Sequence, residues 1–374
     1  ISQSVIRSEG IHNGVIVNLL KATSSIRSCI NAAEKKAKVS LKKINVVFEP
    51  VDFLCTKFSK HKKIDGSKIH KDDIDFLLKE AKKQVTLNDS KQSIIHIFNH
   101  NYIVDGKTFL EEPIDVYADS LSHEMTFIST PKNNLKNINQ AFIDCDIEIE
   151  RFISSTFATA VKLLKTEDFN SGVVLINLDL QKTSLGLFKN LALVHLANLP
   201  IGIDHIKGDI SKVCSLNLEE SEKINKKIDF SFEDNKELFD QSGYLKNIFF
   251  QKSNFRKVSK SLLLNVAKSR IDEIFEMIKK QIIIKELNPT FGTSLIIVQE
   301  DSELLNLEKY CSNFFQSKVE IIKKTTNDVL AEENFVACLG ALKIIKDGWE
   351  TEAIPEPAQS LSKKKSFLSK IFGN

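Results

Sequence analysis

The sequence predicts an α/β protein built from more than one packed unit, and three observations carry that prediction. Strand-like and helix-like apolar patterns alternate along the chain, the order that mixed α/β layers require. Val173–Leu178, Leu185–Phe188 and Leu191–Ala197 are three short apolar runs in quick succession, with Lys189-Asn190 as the turn between the last two; they read as a β-meander at the heart of a sheet. The chain has 374 residues, 42% hydrophobic and 27% charged, enough for two or three cores of ordinary soluble character.

Taken in order, Glu9–Asn18 places two glycines before an apolar strand. Ser24–Lys38 repeats Ile26, Ile30, Ala33 and Ala37 at helical spacing, with lysines toward its C-terminal end, where the helix dipole favours cations. Asn45–Phe48 is a strand, and the basic run Lys57–Lys63 is read as a solvated loop. Asp72–Gln84 is an amphipathic helix on Ile74, Leu77, Leu78 and Ala81, started by an acidic pair. Ser93–Phe98 and Ser120–Thr130 are strands, and Asp105-Gly106 is a tight turn between them. A helix (Asn133–Cys145), a strand (Glu148–Ile153) and a helix (Ser155–Leu164) lead into the meander. Beyond it come a charged helix (Glu219–Lys227), an irregular stretch (Ile228–Gln251) and a long helix (Lys260–Lys285) with Leu263, Val266, Ile271, Ile274 and Ile278 on one side. Lys268 and Arg270 lie off that stripe. A strand (Ser294–Val298), a helix (Leu304–Phe315), a strand (Val319–Ile322) and a helix (Glu332–Ile345) close the body.

Charge and cysteine usage exclude several function classes. Net charge is +3 and only five arginines occur (Arg7, Arg27, Arg151, Arg256 and Arg270), so nucleic acid is not an expected partner. The six cysteines form no C-x-x-C, and most sit in apolar runs, as reduced cytosolic thiols do. No histidine pattern has metal spacing, no run is long enough for a transmembrane helix, and no signal peptide opens the chain. The first residue is Ile1, so an incomplete N-terminus is expected.

Glu350–Ser362 holds Pro355 and Pro357 and reads as a linker. After it, Lys363–Asn374 places Phe367, Leu368, Ile371 and Phe372 in one arc of about 140° at about 3.6 residues per turn. Lys363, Lys364, Lys365 and Lys370 border that arc. Such a helix suits the plane of an anionic membrane, each apolar side chain contributing about 1.5–3 kcal/mol if fully buried. Docking of the same helix on a protein surface is the competing reading.

These residues resemble the FtsA family, actin-like bacterial cell-division proteins that tie FtsZ filaments to the inner membrane. Ser8-Glu9-Gly10 with Gly14–Asn18 is similar to the family's S-R-G-x-x-x-G-x-V-V-D. Tyr102–Gly106, Pro113 and His123 fit the inserted subdomain. Gly172–Ile210 falls on the second phosphate hairpin, with Gly202 and Asp209 matching the G-G-x-x-x-T-x-D-I that follows. Arg270, Glu273 and Ile274 match R-x-x-E-I, Phe335–Leu342 the closing A-x-x-x-G-L helix, and the tail the membrane-targeting helix. The resemblance implies an actin-like, ribonuclease H-like two-lobed body with an inserted α/β subdomain and a C-terminal amphipathic helix. The implied divisions are 1–44 and 126–168 (first lobe), 45–125 (inserted subdomain), 169–212 (central meander), 213–287 (outer, partner-binding subdomain), 288–349 (closing elements), 350–362 (linker) and 363–374 (membrane helix).

The departures concern nucleotide. Actin-like ATPases hold phosphates on backbone N–H groups of glycine-rich hairpins, since only glycine lets the backbone approach so closely. Where the family reads D-I-G-G-G-T-T-D, this chain has Asn177, Leu178, Asp179, Leu180, Gln181, Lys182, Thr183 and Ser184. The adenosine-side T-G-G-G aligns with Val298-Gln299-Glu300-Asp301, and the first phosphate hairpin would precede Ile1. ATP with Mg²⁺ is the family's cofactor; here Asn177, Lys182, Thr183, Gly202 and Asp209 are the degenerate counterpart, and weak or absent nucleotide binding is expected. The expected function is a non-enzymatic scaffold at the division site. It self-associates, binds the FtsZ C-terminal tail through Lys268 and Arg270, meets other division proteins and grips the cytoplasmic face of the membrane. A functional ATPase switch and an actin-fold pilus or secretion assembly protein are the alternatives.

Overall fold

Asn18 starts the first long helix, and its side chain decides where. The Asn18 side-chain Oδ1 accepts the N–H of Lys21 at 3.0 Å, so α1 spans Leu19–Ala37, five residues earlier than apolar spacing alone predicts. The computed structural model describes residues 2–233, 235–254, 256–284, 294–299, 304–323 and 332–347. Ahead of α1, Glu9–Asn18 forms a two-rung hairpin, β1 (Ile11–His12) and β2 (Val15–Ile16), turned by Asn13-Gly14 at positive φ. After it, β3 (Lys43–Phe48) runs parallel to β8 (Glu148–Ser154), and these two strands are the first lobe's sheet.

Between them stands the inserted subdomain. Its antiparallel sheet has the order β4-β7-β5-β6, from β4 (Leu54–Lys68), β5 (Gln92–Val104), β6 (Lys107–Phe109) and β7 (Tyr117–Pro131). Helix α2 (Lys71–Asn88) packs Ile74, Leu77, Leu78 and Ala81 onto it. The basic run Lys57–Lys63 is therefore not a loop. It lies in β4, where Phe58 packs on Phe127 and Ile64 is buried, while lysines line an edge strand, a placement that discourages edge-to-edge association. Asn45–Phe48, predicted within the insertion, pairs with β8 of the first lobe instead.

Helices α3 (Lys132–Ile143), α4 (Ser155–Leu163) and α5 (Thr166–Ser171) flank β8 and lead to the second lobe. There the predicted meander is present: β9 (Val173–Leu178), β10 (Thr183–Lys189) and β11 (Ala192–Leu199) are antiparallel neighbours. All six residues of β9 are buried, as a strand covered on both faces requires. Helices α6 (Asp204–Cys214), α7 (Leu218–Asn225) and α8 (Lys260–Ile284) follow, with a 3₁₀ turn at Asn247–Phe249. Then β12 (Ser294–Gln299) returns parallel to β9, and after α9 (Leu307–Phe315), β13 (Val319–Lys323) completes the order β11-β10-β9-β12-β13. A 3₁₀ turn (Glu332–Phe335) opens α10 (Val336–Lys346).

Two cores meet across the central sheet. One face packs on α6, α8 and α9 through Leu263, Ile271, Ile274, Ile278 and Phe275. The other packs on α4 and α10 with Phe157, Ala158 and Ala341, together with Phe48 and Ile153 of the first lobe. Gly340 fixes that second contact: a Cβ there would lie 1.8 Å from the carbonyl oxygen of Ala158. No helix among the described residues is long and apolar enough to cross a membrane. The linker 350–362 and the tail with Lys363, Lys364, Lys365, Phe367, Leu368, Lys370, Ile371 and Phe372 lie outside the described residues, as do Glu300 and Asp301.

Candidate functional site

The turn joining β9 to β10 is closed by the chain's own groups. The N–H of Asp179 bonds to the carbonyl of Lys182 at 3.1 Å. Its carbonyls at Asp179 and Leu180 accept the N–H groups of Ile203 and Asp204, at 3.1 and 2.8 Å. Those donors open α6, and a helix N-terminus of this kind is otherwise a ready anion site. Here it is spent on the hairpin. Gly202 permits the approach, because a Cβ at that position would sit 2.3 Å from the Asp179 carbonyl oxygen. Thr183 donates its hydroxyl to the carbonyl of Ile201 at 2.7 Å, and Asn177 donates to the Thr156 hydroxyl at 3.2 Å. Among the described residues, no cluster of three or more His, Cys, Asp or Glu side chains has metal-holding geometry.

Lys182 turns away from this loop toward the first lobe, where its ammonium donates to the backbone carbonyl of Glu49. Glu49 follows β3 directly and is 5% exposed. Its Oε2 accepts the Ser154 hydroxyl at 2.8 Å and the Thr156 N–H at 2.9 Å. Asn198, at the end of β11, donates to Glu49 Oε1 at 3.2 Å and to the Pro50 carbonyl at 2.7 Å. Burial pushes the Glu49 carboxyl up from its ordinary range, while Lys182, the Thr156 N–H, Ser154 and Asn198 pull against that shift. From the inserted subdomain, His96 Nε2 accepts the Ser154 N–H at 2.9 Å; burial brings His96 down to about 4, so its ring stays neutral. First and second lobe thus converge on one buried carboxyl, and the insertion reaches its partner Ser154 through His96. Sequence reasoning missed Glu49 and Asn198. A single acid before Pro50, directly after the apolar run Ile44–Phe48, was the available signal.

Of the five residues predicted for nucleotide, Asn177, Lys182, Thr183 and Gly202 gather at this hairpin, and Asp209 does not. Asp209 lies on α6 facing α8, and its carboxylate accepts from Arg270 Nε at 2.5 Å. Arg270 also pairs with Glu273 at 2.5 Å. The sequence assigned Asp209 and Arg270 to different ligands; the fold pairs them with each other.

Two grooves flank α8. One of about 510 Å³ is lined by Lys260, Lys268, Asn265, Ser259, Leu264 and Phe232 among others. Lys268 bonds Asp272 at 2.9 Å and lies 5.4 Å over the Tyr310 ring, and Lys260 lies 6.0 Å over Phe239. The other groove, about 340 Å³, holds Asp209, Arg270 and Glu273 over Val213, Leu262 and Val266. The first presents Lys260 and an Asp272-paired Lys268 over an apolar floor; in the second the one arginine is matched by two acids.

The architecture defines the class. A two-lobed body with a five-stranded mixed sheet is the actin-like fold, and the solved "PilM-PilN type IV pilus biogenesis complex" superposes with a TM-score of 0.59 at 9% identity, covering 90% of this chain and 88% of that one. MreB5 of Spiroplasma citri bound to ADP gives 0.50 at 12% identity, over 90% and 78%. Within that class the chain's sequence relatives are the FtsA proteins. Residues 54–129 match the family described as "SHS2 domain inserted in FTSA", which places the insertion on β4–β7, somewhat later than the expected 45–125. The cell division protein FtsA of Agrobacterium fabrum is 21% identical over 315 residues, 84% of this chain and 71% of its own length. The resemblance read from the sequence therefore holds, and the chain is a divergent, actin-like relative of a cell-division protein.

Proposed function

We propose that this chain is a division scaffold that links FtsZ filaments to the cytoplasmic membrane without using ATP. The observation that carries the reading is the closed β9–β10 hairpin. Its turn carbonyls already take the N–H groups of Ile203 and Asp204 at the start of α6, Asp179 adds negative charge, and Lys182 is engaged by Glu49. These residues do not fit the phosphates of ATP with Mg²⁺, so no hydrolytic step is assigned to them, and the body acts by binding alone.

The acidic FtsZ C-terminal tail docks in the lysine-lined groove of α8, with Lys260 and Lys268 meeting its carboxylates and Leu264 and Phe232 its apolar side chains. Arg270 holds α6 to α8 and shapes the neighbouring groove. The tail 363–374 lies on the anionic leaflet, and self-association through the inserted subdomain multiplies the copies per filament. Other division proteins meet the same assembly at the septum.

Co-sedimentation tests this reading. FtsZ filaments should pellet with anionic vesicles only when the chain is present, and should do so in nucleotide-free buffer on the scaffold's side. Pelleting that depends on ATP bound by this chain would replace the scaffold with a nucleotide switch. Failure to pellet FtsZ with or without ATP would remove the tether.

A further inference from the structure

Glu49 is an acid buried where two lobes meet, and everything arranged around its carboxyl group is a donor. The Ser154 hydroxyl and the Thr156 N–H come from the first lobe, at 2.8 and 2.9 Å. The Asn198 amide comes from the second lobe at 3.2 Å, and the Lys182 ammonium, also from the second lobe, bonds the backbone of the same residue. A cradle with a backbone N–H at the start of a helix, a hydroxyl, an amide and a lysine is the equipment proteins use for small oxyanions. Here a side chain of the same polypeptide fills it.

We propose that Glu49 is an internal ligand: its carboxyl group occupies an oxyanion cradle built jointly by the two lobes and holds them closed without a diffusible anion. The inference rests on the nucleotide-free part of the function proposed above and adds what replaces the nucleotide. A bound ligand that bridges two bodies stabilises the closed arrangement by the contacts it makes only there. Glu49 makes such contacts to β11 and to the β9–β10 hairpin while anchored on β3. Lys182, placed by the sequence in the degenerate nucleotide site, instead bonds the backbone carbonyl of the same residue that supplies the internal carboxyl. The orphaned Oδ1 of Asn198 fits the same picture: its amide is turned so that Nδ2 serves both Glu49 and Pro50, leaving the oxygen without a partner.

The cradle should become a site for a small carboxylate once the side chain is cut away. Glu49→Ala should unfold at a lower temperature than the parent, and millimolar acetate or inorganic phosphate should raise its midpoint while leaving the parent unmoved. Hydrogen exchange at the Thr156 amide should speed up in the variant and slow again with acetate. If Glu49→Ala does not fold, Lys182→Met and Asn198→Ala in the intact chain carry the test. Small-angle scattering should then show a larger radius of gyration for the pair than for the parent.

Equal response of parent and variant to acetate, or an unchanged radius in the Lys182 and Asn198 variants, would overturn the proposal. Titration of the parent with ATP and Mg²⁺ separates the two readings. Tight binding would undo the closed-hairpin function, whereas no binding together with no acetate rescue would undo only the internal ligand.

Discussion

Glu220 shows how much a single acid organises in the outer part of the second lobe. It is 1% exposed, and its carboxylate accepts the N–H groups of Asn217, Gln251, Lys252 and Ser253, at 3.0, 2.7, 2.7 and 2.9 Å, and the Ser253 hydroxyl at 2.5 Å. Burial alone would raise its pKa. The Ser253 hydroxyl and the surrounding N–H groups outweigh burial and hold it down to about 2. The folded value lies below the ordinary 4.5, so the unfolded chain binds this proton more tightly. Stability from Glu220 is fully present above about pH 4.5 and is lost as the pH falls toward about 2. Glu220→Gln keeps the volume but presents an amide to a ring of donors, and should cost about 2–3 kcal/mol at pH 7. Urea unfolding of parent and variant should show that gap narrowing between pH 7 and pH 3; a gap independent of pH would mean the carboxylate charge is not its source. The residue-level legibility of the sequence is uneven for the same reason. Asn217 and Glu220 are a capping pair readable three residues apart, but Gln251 to Ser253 are brought to Glu220 only by the fold.

At the scale of elements, periodicity located what short-range physics controls. The meander β9-β10-β11 and the helix α8 stand where their apolar spacing put them, because each buries a continuous apolar face. The misreadings fall where a polar group or a partner decides. A cap at Asn18 moved the start of α1, and alternation in β4 was hidden beneath lysines that an edge strand tolerates. Asp209 and Arg270, 61 residues apart in sequence, pair because α6 and α8 pack side by side, a fact no local pattern contains. Helix α8 also carries the partner prediction in refined form. Lys260 and Lys268 line one groove, where Lys268 has a single acid, Asp272, whereas Arg270 is committed to both Asp209 and Glu273. Lys260→Glu with Lys268→Glu should weaken an FtsZ tail peptide at least about tenfold by calorimetry, a loss of about 1.4 kcal/mol. Arg270→Met should mainly lower the unfolding midpoint. Equal loss of peptide affinity from both changes would place the contact in the second groove.

For the whole molecule, the scaffold proposed above, lacking a nucleotide switch, would have its membrane attachment set by geometry and copy number. A single amphipathic tail of the kind the sequence pattern predicts would give a modest gain, since partial burial in the interface and ordering of the tail would offset most of the transfer energy. Linking many such tails along one filament turns each further contact into an intramolecular step, so avidity rises without any new contact. On that reading the lysines at 363, 364, 365 and 370 would add attraction to anionic lipid of about 1 kcal/mol each near the surface, screened by salt. Phe367→Glu with Ile371→Glu should therefore release the chain from anionic vesicles at every protein concentration. Replacing Lys363, Lys364 and Lys365 with Gln should release it at low concentration only, with binding recovered once the protein is concentrated enough to assemble. Vesicle pelleting across a concentration series reads both. Unchanged pelleting of the Phe367 and Ile371 variant would mean that the apolar arc faces protein, and attachment would have to come from the body.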